Sequence, residues 1–330
     1  MVWRAALVGC GKIGSEFADD PKITDIFTHA GAWCACDDVE LVAVCDADPS
    51  RAGKCAQRWG VAQQFTDVGE MLQLTRPELV SVCTPDDTHM RVLSQVFATP
   101  SVRGVLAEKP LALNSTDGRD LVEQAAIHGI ALAVNYSRRY AIGQRQLARR
   151  VQEGLIGDLI HVRGAYTKGT LHNGTHWFDW ARMFAGEIVA AQGFDILHEN
   201  SNDPTLDARL RFTCGAVGNL SALNHQLYSL FEIDFLGSCG RLRIYDSGHR
   251  YQLDLAGDSP RYSGYRALLD DEAGEVDMRD TLLLAVSDLL GAVQRHNQPI
   301  CSAEDAIKTL VIAETVMRSA TQNGTFLPII

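Results

Sequence analysis

The first fourteen residues limit the possible folds more than any other stretch of this chain. An apolar run, Trp3 to Val8, passes without a linker into Gly9-Cys10-Gly11-Lys12-Ile13-Gly14. A G-x-G-x-x-G loop between a strand and a helix permits a tight turn. It also lets backbone N–H groups at the helix N-terminus approach a pyrophosphate. Glycine-rich turns are common, so the weight comes from position: the loop opens the chain and directly follows a strand. Gly9, Gly11, Lys12, Ile13 and Gly14 are therefore the expected phosphate-side contacts. A second apolar run, Leu41 to Cys45, ends in Asp46. A carboxylate there can accept hydrogen bonds from the adenosine ribose hydroxyls and would repel a 2′-phosphate; the alternative is a helix-capping Asp. Asp46 lies 32 residues after Gly14 where ~20 is usual, so an insertion over roughly 19–38 is expected. Arg51 is close enough to receive a 2′-phosphate. NAD is the expected cofactor, with NADP as the alternative.

The alternation continues. Ser50–Trp59 reads as a helix, Leu79–Cys83 as a strand, Thr88–Ala98 as a helix and Val102–Ala107 as a strand. A helix capped by Asn114, Ser115 or Thr116 and closed by Gly129 precedes a last strand, Ile130–Val134. Ile13–Ala18 is expected to open a helix behind the glycine loop. Strands and helices at this spacing predict an α/β fold with an N-terminal Rossmann-type, doubly wound parallel sheet. The second half differs. Helical patterns at Arg145–Glu153 and Phe178–Phe184 are joined by six strand-like runs between Leu159 and Tyr245, several alternating polar and apolar. An apolar stripe at helical spacing runs over Ala303–Thr321. The expectation is a C-terminal α+β domain with a large, mostly antiparallel open sheet, the domains dividing as 1–134 and 135–330. The outer face of that sheet is the expected surface for a homodimer or homotetramer.

Composition narrows the partners. Thirty Lys and Arg against 41 Asp and Glu leave a formal charge of −11. That balance argues against general affinity for nucleic acid or an anionic membrane, while a local basic pocket stays compatible with it. Nine scattered cysteines without a CxxC pair fit reduced thiols, and the N-terminal apolar run is too short for a signal peptide. A cytoplasmic protein is expected.

Further motifs stand in order along the chain: Cys83-Thr84-Pro85 with His89, Ala107-Glu108-Lys109-Pro110-Leu111, Asn173-Gly174-Thr175-His176-Trp177-Phe178-Asp179, and Pro299 to Ala306. Together with the glycine loop they resemble the Gfo/Idh/MocA family, the glucose–fructose oxidoreductase and inositol dehydrogenase group. Glu-Lys-Pro at the end of a late strand is the most specific of these landmarks. The resemblance implies a catalytic histidine at His176 and a cis bond before Pro110. It also implies a nicotinamide-dependent oxidoreductase acting on a secondary hydroxyl of a sugar, polyol or sugar derivative. It brings one rival, an NAD-retaining glycoside hydrolase with no net redox change.

The residues carry an independent argument. Carboxyl ends of parallel strands line the ligand crevice, so an ammonium at Lys109 can hydrogen-bond a substrate hydroxyl and stabilise the alkoxide that develops as hydride leaves. The bland alternative is a surface lysine. The His176 imidazole can accept the hydroxyl proton near neutral pH. Asp179 shares its face if Thr175 opens a helix, so it could orient the ring. Glu108 either orients the cofactor ribose or caps the crevice, and Thr84, Pro85 and His89 are expected beside the cofactor. Many family members carry Asp four residues before the histidine, where this chain has His172. Asn173 is a candidate substrate contact in its place, together with Arg138, Tyr166 and His172. His172, His176 and Asp179 also resemble a zinc set, but no fourth ligand stands nearby and Asn173-Gly174 argues against a helix through His172. No metal is expected.

Overall fold

The computed structural model describes residues 2–199 and 201–330. Two compact units divide the chain: Met1–Tyr140 with Arg279–Ile307, and Ala141–Met278 with Lys308–Ile330.

In the first unit β1 (Trp3–Val8), β2 (Val39–Cys45), β3 (Gln63–Phe65), β4 (Leu79–Val82), β5 (Gly104–Ala107) and β6 (Ala131–Val134) form one sheet of order β3-β2-β1-β4-β5-β6. Every pairing is parallel. This is the doubly wound order, with its reversal between β1 and β4. Strands β4 and β5 are buried at every residue, which explains why they read as unbroken apolar runs. The crossover helices are α1 (His29–Cys34), α2 (Pro49–Trp59), α3 (Val68–Thr75), α4 (His89–Phe97) and α5 (Ser115–Ile127). Their ends follow local chemistry. Asp48 caps α2 with Pro49 in the first turn, Gly60 ends it at φ 68°, and Asn114 accepts the Asp117 N–H at the start of α5.

The expected helix over Ile13–Ala18 is not continuous. A short 3₁₀ turn occupies Glu16–Asp19, and α1 begins only at His29. The His29 and Ala30 N–H groups donate to the Ile13 and Gly14 carbonyls at 3.0 Å each. In an unbroken helix residues 17 and 18 would make those two bonds. The chain therefore loops out between Gly14 and His29 and re-enters the same helical turn twelve residues late. Removing twelve from the 32-residue Gly14–Asp46 spacing leaves the usual ~20. The insertion is real, and it lies within the first helix rather than over 19–38.

The second unit begins with α7 (Ile142–Gln152), after the short α6 (Ser137–Tyr140) of the first. Its strands are β7 (Leu159–Tyr166), β8 (Ile188–Phe194), β9 (Asp207–Phe212), β10 (Val217–Ala222), β11 (Glu232–Gly237), β12 (Gly240–Tyr245), β13 (Arg250–Asp258), β14 (Arg266–Glu275) and β15 (Leu327–Pro328). They form a nine-stranded sheet of order β14-β13-β12-β11-β7-β10-β9-β8-β15. Among the described residues β7 and β10 pair in parallel and the other neighbours antiparallel. Between β7 and β8 lies α8 (Thr175–Ala185), which supplies the core of this unit. Trp180 stacks on Phe231 with centroids 5.6 Å apart, and Phe184 on Phe235 at 4.5 Å. Gly164 of β7 leaves room for the Trp177 indole, which a Cβ there would strike.

The chain then returns to the first unit with α9 (Thr281–Arg295), and α10 (Ala303–Thr321) follows. A continuous division at 134/135 therefore differs from the observed one. At Gly104 an added Cβ would lie 2.7 Å from Val293 and 3.2 Å from Leu289, so α9 lies directly on β5 and belongs with the parallel sheet.

Candidate active site

Each glycine of the opening loop has its own steric reason. Gly9 adopts φ +94°, and a Cβ on it would sit 2.5 Å from the Cys83 carbonyl at the end of β4. A Cβ on Gly14 would overlap the Gly9 carbonyl oxygen. Gly11 is different: a Cβ there meets nothing within 4 Å. Two glycines close the turn, and the third leaves an open cradle of the kind a pyrophosphate occupies in such loops. Lys12 is exposed and Ile13 half-buried beside it.

Asp46 follows β2 and faces the loop. Its Oδ2 accepts the Cys10 N–H at 2.8 Å and its Oδ1 the Asp48 N–H at 2.9 Å. Asp48, which accepts the Ser50 N–H at 2.8 Å, is the cap of α2, so Asp46 is not the helix cap. Arg51 is directed to Glu16 at 3.6 Å and Asp48 at 4.0 Å, with all three side chains well exposed.

The turns after β4 and β5 are pinned together. His89 is fully buried, with Nδ1 2.9 Å from the Pro110 carbonyl and Nε2 2.9 Å from the Thr84 carbonyl. Both ring nitrogens are taken up by backbone. The expected cofactor contact from His89 is corrected to a clamp between two crevice turns. Thr84 accepts the Thr88 hydroxyl at 2.8 Å, and Pro85 is exposed. The Lys109–Pro110 bond is cis, and Lys109 is half-buried.

Glu108 has partners that sequence reasoning missed. Its Oε1 lies 2.9 Å from His29 Nε2 and accepts the Asn135 amide at 2.6 Å, while Oε2 accepts the Lys109 N–H at 3.3 Å. His29 Nδ1 is 2.9 Å from Ser81 Oγ, which also accepts the Trp33 indole N–H at 2.8 Å. Burial pushes the Glu108 carboxyl up, but the His29 side chain, the Asn135 amide and the Lys109 ammonium outweigh it and hold the carboxyl low. Asn135, 5% exposed, leaves its Oδ1 without a hydrogen-bond partner. The only local sign of His29 is Thr28, whose hydroxyl caps α1 by accepting the Gly31 N–H.

In the second unit a π-helical turn over Gly169–Gly174 runs straight into α8 at Thr175. A helical turn does pass through His172, contrary to expectation. Asp203, distant in sequence, stabilises it by accepting the Leu171 and His172 N–H groups at 2.7 and 2.9 Å. Asn173 donates to the Thr167 carbonyl at 2.7 Å. His172 is exposed, Asn173 half-buried, and His176 half-buried in the first turn of α8. Asp179 is 1% exposed, with Arg182 3.7 Å away.

Tyr166, expected at the substrate, is instead core. Its hydroxyl bonds Thr170 at 3.0 Å and both the N–H and carbonyl of Leu206 at 2.9 Å, and burial pushes its pKa up. Arg138 is half-buried on α6; its neighbour Arg139 pairs with Asp305 at 3.3 Å.

The model of the oxidoreductase family with an NAD-binding Rossmann fold, Gfo/Idh/MocA, matches residues 3–136. Myo-inositol 2-dehydrogenase of Thermotoga maritima is 24% identical over 96% of both chains. Over residues 3–136 the chain is thus similar to the Gfo/Idh/MocA oxidoreductases. Another relative, D-glucoside 3-dehydrogenase of Escherichia coli K12, is 31% identical over 47% of this chain and 41% of its own length, less than half of that protein. Among solved structures, a levoglucosan dehydrogenase in complex with NADH covers the whole chain with a TM-score of 0.82 at 17% identity, a likeness of fold. No helix among the described residues is long and apolar enough to cross a membrane.

Proposed function

We propose that this protein is a cytoplasmic NAD-dependent dehydrogenase of the Gfo/Idh/MocA kind that oxidises a secondary hydroxyl of a sugar, polyol or sugar derivative. The observation that carries the reading is the edge of the parallel sheet. The open Gly11 cradle, Asp46, the Thr84-Pro85 turn and Glu108-Lys109 all follow carboxyl ends of strands, where doubly wound sheets bind ligands. Bound NAD would supply the hydride acceptor. Gly9 to Gly14 would hold the pyrophosphate and Asp46 the adenosine ribose hydroxyls. Arg51, already directed to two carboxylates, offers little to a 2′-phosphate, which favours NAD over NADP. Lys109 donates a hydrogen bond to the substrate oxygen and stabilises negative charge on it. His176 accepts the hydroxyl proton, and Asp179 lies three residues on in the same helix. Asn173 and His172 stand one turn earlier, where they would meet substrate in place of the family's frequent Asp. The relatives named above act on inositol, glucosides and levoglucosan, which supports a carbohydrate-like substrate.

The test is NADH formation, with NAD and separately NADP, across a panel of sugars, polyols, sugar acids and nucleotide sugars. Formation with one of them that falls at least 10³-fold in Lys109→Ala supports the reading. Release of free sugar from a glycoside without net NADH would replace it by the hydrolase.

A further inference from the structure

Beside Lys109 runs a buried chain of side chains that the chemistry above does not use: Trp33, Ser81, His29 and Glu108. Its directions follow from the donors available. An indole N–H only donates, so Ser81 Oγ accepts from Trp33. The remaining acceptor beside the Ser81 hydroxyl proton is His29 Nδ1, at 2.9 Å. That fixes the tautomer: Nδ1 accepts, and the ring proton sits on Nε2, donated to Glu108 Oε1 at 2.9 Å. A neutral His29 leaves no group in this chain unsatisfied. A protonated ring would donate from both nitrogens and strand the Ser81 hydroxyl proton. His29 and Ser81 are both fully buried, and Glu108 is 8% exposed.

The consequence falls on Lys109. Oε1 of Glu108 is held by two donors, His29 and Asn135, so the carboxylate cannot turn, and its Oε2 stays at the Lys109 backbone N–H. The titratable groups facing this carboxylate are His29 from α1, Lys109 from the turn after β5, and the Cys83 thiol after β4, which burial and the Glu108 charge keep neutral. The charge fixed in this way stands beside the Lys109 ammonium.

We propose that His29 is a positioning residue for Lys109: a neutral imidazole, fixed by Ser81, that locks the Glu108 carboxylate so that its charge keeps Lys109 protonated. This deepens the dehydrogenase reading and rests on the role given there to Lys109. An ammonium that must donate to a substrate oxygen has to carry its proton at working pH, and a fixed neighbouring carboxylate favours that form.

The chain has six lysines, so a ¹³Cε-lysine spectrum of the whole protein resolves them, with Lys109 identified by the signal lost in Lys109→Arg. In His29→Leu, which fills the ring's volume without a donor, the Lys109 titration midpoint is expected to fall by about one unit. His29→Gln, whose amide can still donate to Glu108, should restore most of it. With the fastest substrate of the panel, kcat of His29→Leu should fall about tenfold while KM for NAD stays within about twofold. An unmoved midpoint in a folded His29→Leu protein overturns the proposal. If that variant does not fold, Glu108→Gln decides, because it removes the charge and keeps the shape; an unmoved midpoint there overturns it equally. A Lys109→Ala protein that still turns over would sink the dehydrogenase role of Lys109, whereas the lysine spectrum judges His29 without any substrate.

Discussion

At the scale of single residues, the opening loop separates a folding glycine from a binding glycine. Gly14→Ala drives a methyl into the Gly9 carbonyl and should cost about 1–3 kcal/mol of stability. Gly11→Ala meets open space, so its melting temperature should stay within about two degrees of wild type. Its affinity for NADH should nonetheless fall at least tenfold, because the new methyl occupies the cradle. Thermal melts with and without NADH read both effects, and equal behaviour of the two variants would contradict this division. The glycine pattern was legible because spacing alone carries it. Lys109 and His176 were singled out from motif and chemistry. His29 was not, since an isolated histidine inside an irregular segment has no local signature of its partners. The opposite error occurred at Tyr166 and His89, where a polar side chain beside the motifs suggested a ligand. Their hydroxyl and ring nitrogens are taken up by backbone groups that only the folded chain brings near.

Elements show the same contrast. Strand β1 falls on the expected residues because apolar patterning fixes it, and α10 matches equally well. The hairpin β13–β14 was not anticipated: its second strand is mostly exposed and rich in acidic residues, so no alternation marks it. Around α8 a cluster of charges makes a pH-dependent joint. Glu187, between α8 and β8, receives two hydrogen bonds from Arg182 at 2.8 and 3.0 Å and one from Lys308 of α10 at 3.0 Å. The Arg182 hydrogen bonds foremost, with those of Lys308, outweigh desolvation and pull its pKa from 4.5 to about 2. A carboxyl whose folded pKa is depressed stabilises the fold above its unfolded value and loses that contribution as pH falls through the folded one. Wild type should therefore exceed Glu187→Gln in stability at pH 6 by no more than about 1 kcal/mol, since the side chain is 47% exposed. The difference should fade between about pH 4.5 and pH 2. Urea unfolding at several pH values checks it, and a difference that persists at pH 2 would contradict the joint.

The whole molecule is organised by a chain that leaves its first unit and comes back. Because α9 covers β5 and β6, a fragment of residues 1–134 should lack cooperative melting. Residues 1–140 joined to 279–307 by a short Gly/Ser linker should melt as one transition and bind NADH. Calorimetry of the two fragments tests this, and a stable 1–134 fragment would restore the continuous division. We propose that the outer face of the nine-stranded sheet pairs copies of the chain, which sedimentation can measure directly. By itself the sequence determined the parallel sheet and the glycine loop with its acidic partner, and it singled out Lys109 and His176 as candidates. These depend on periodicity and on short-range steric demands, which adjacent residues encode. Only the tertiary structure decided that the first helix is interrupted and resumed, that α9 belongs to the parallel sheet, and that Asn135 and His29, the latter held in turn by Ser81, hold Glu108. Those outcomes come from buried hydrogen bonds and packing between segments far apart in the chain, where the burial of a polar group is favourable only when its partner arrives from elsewhere.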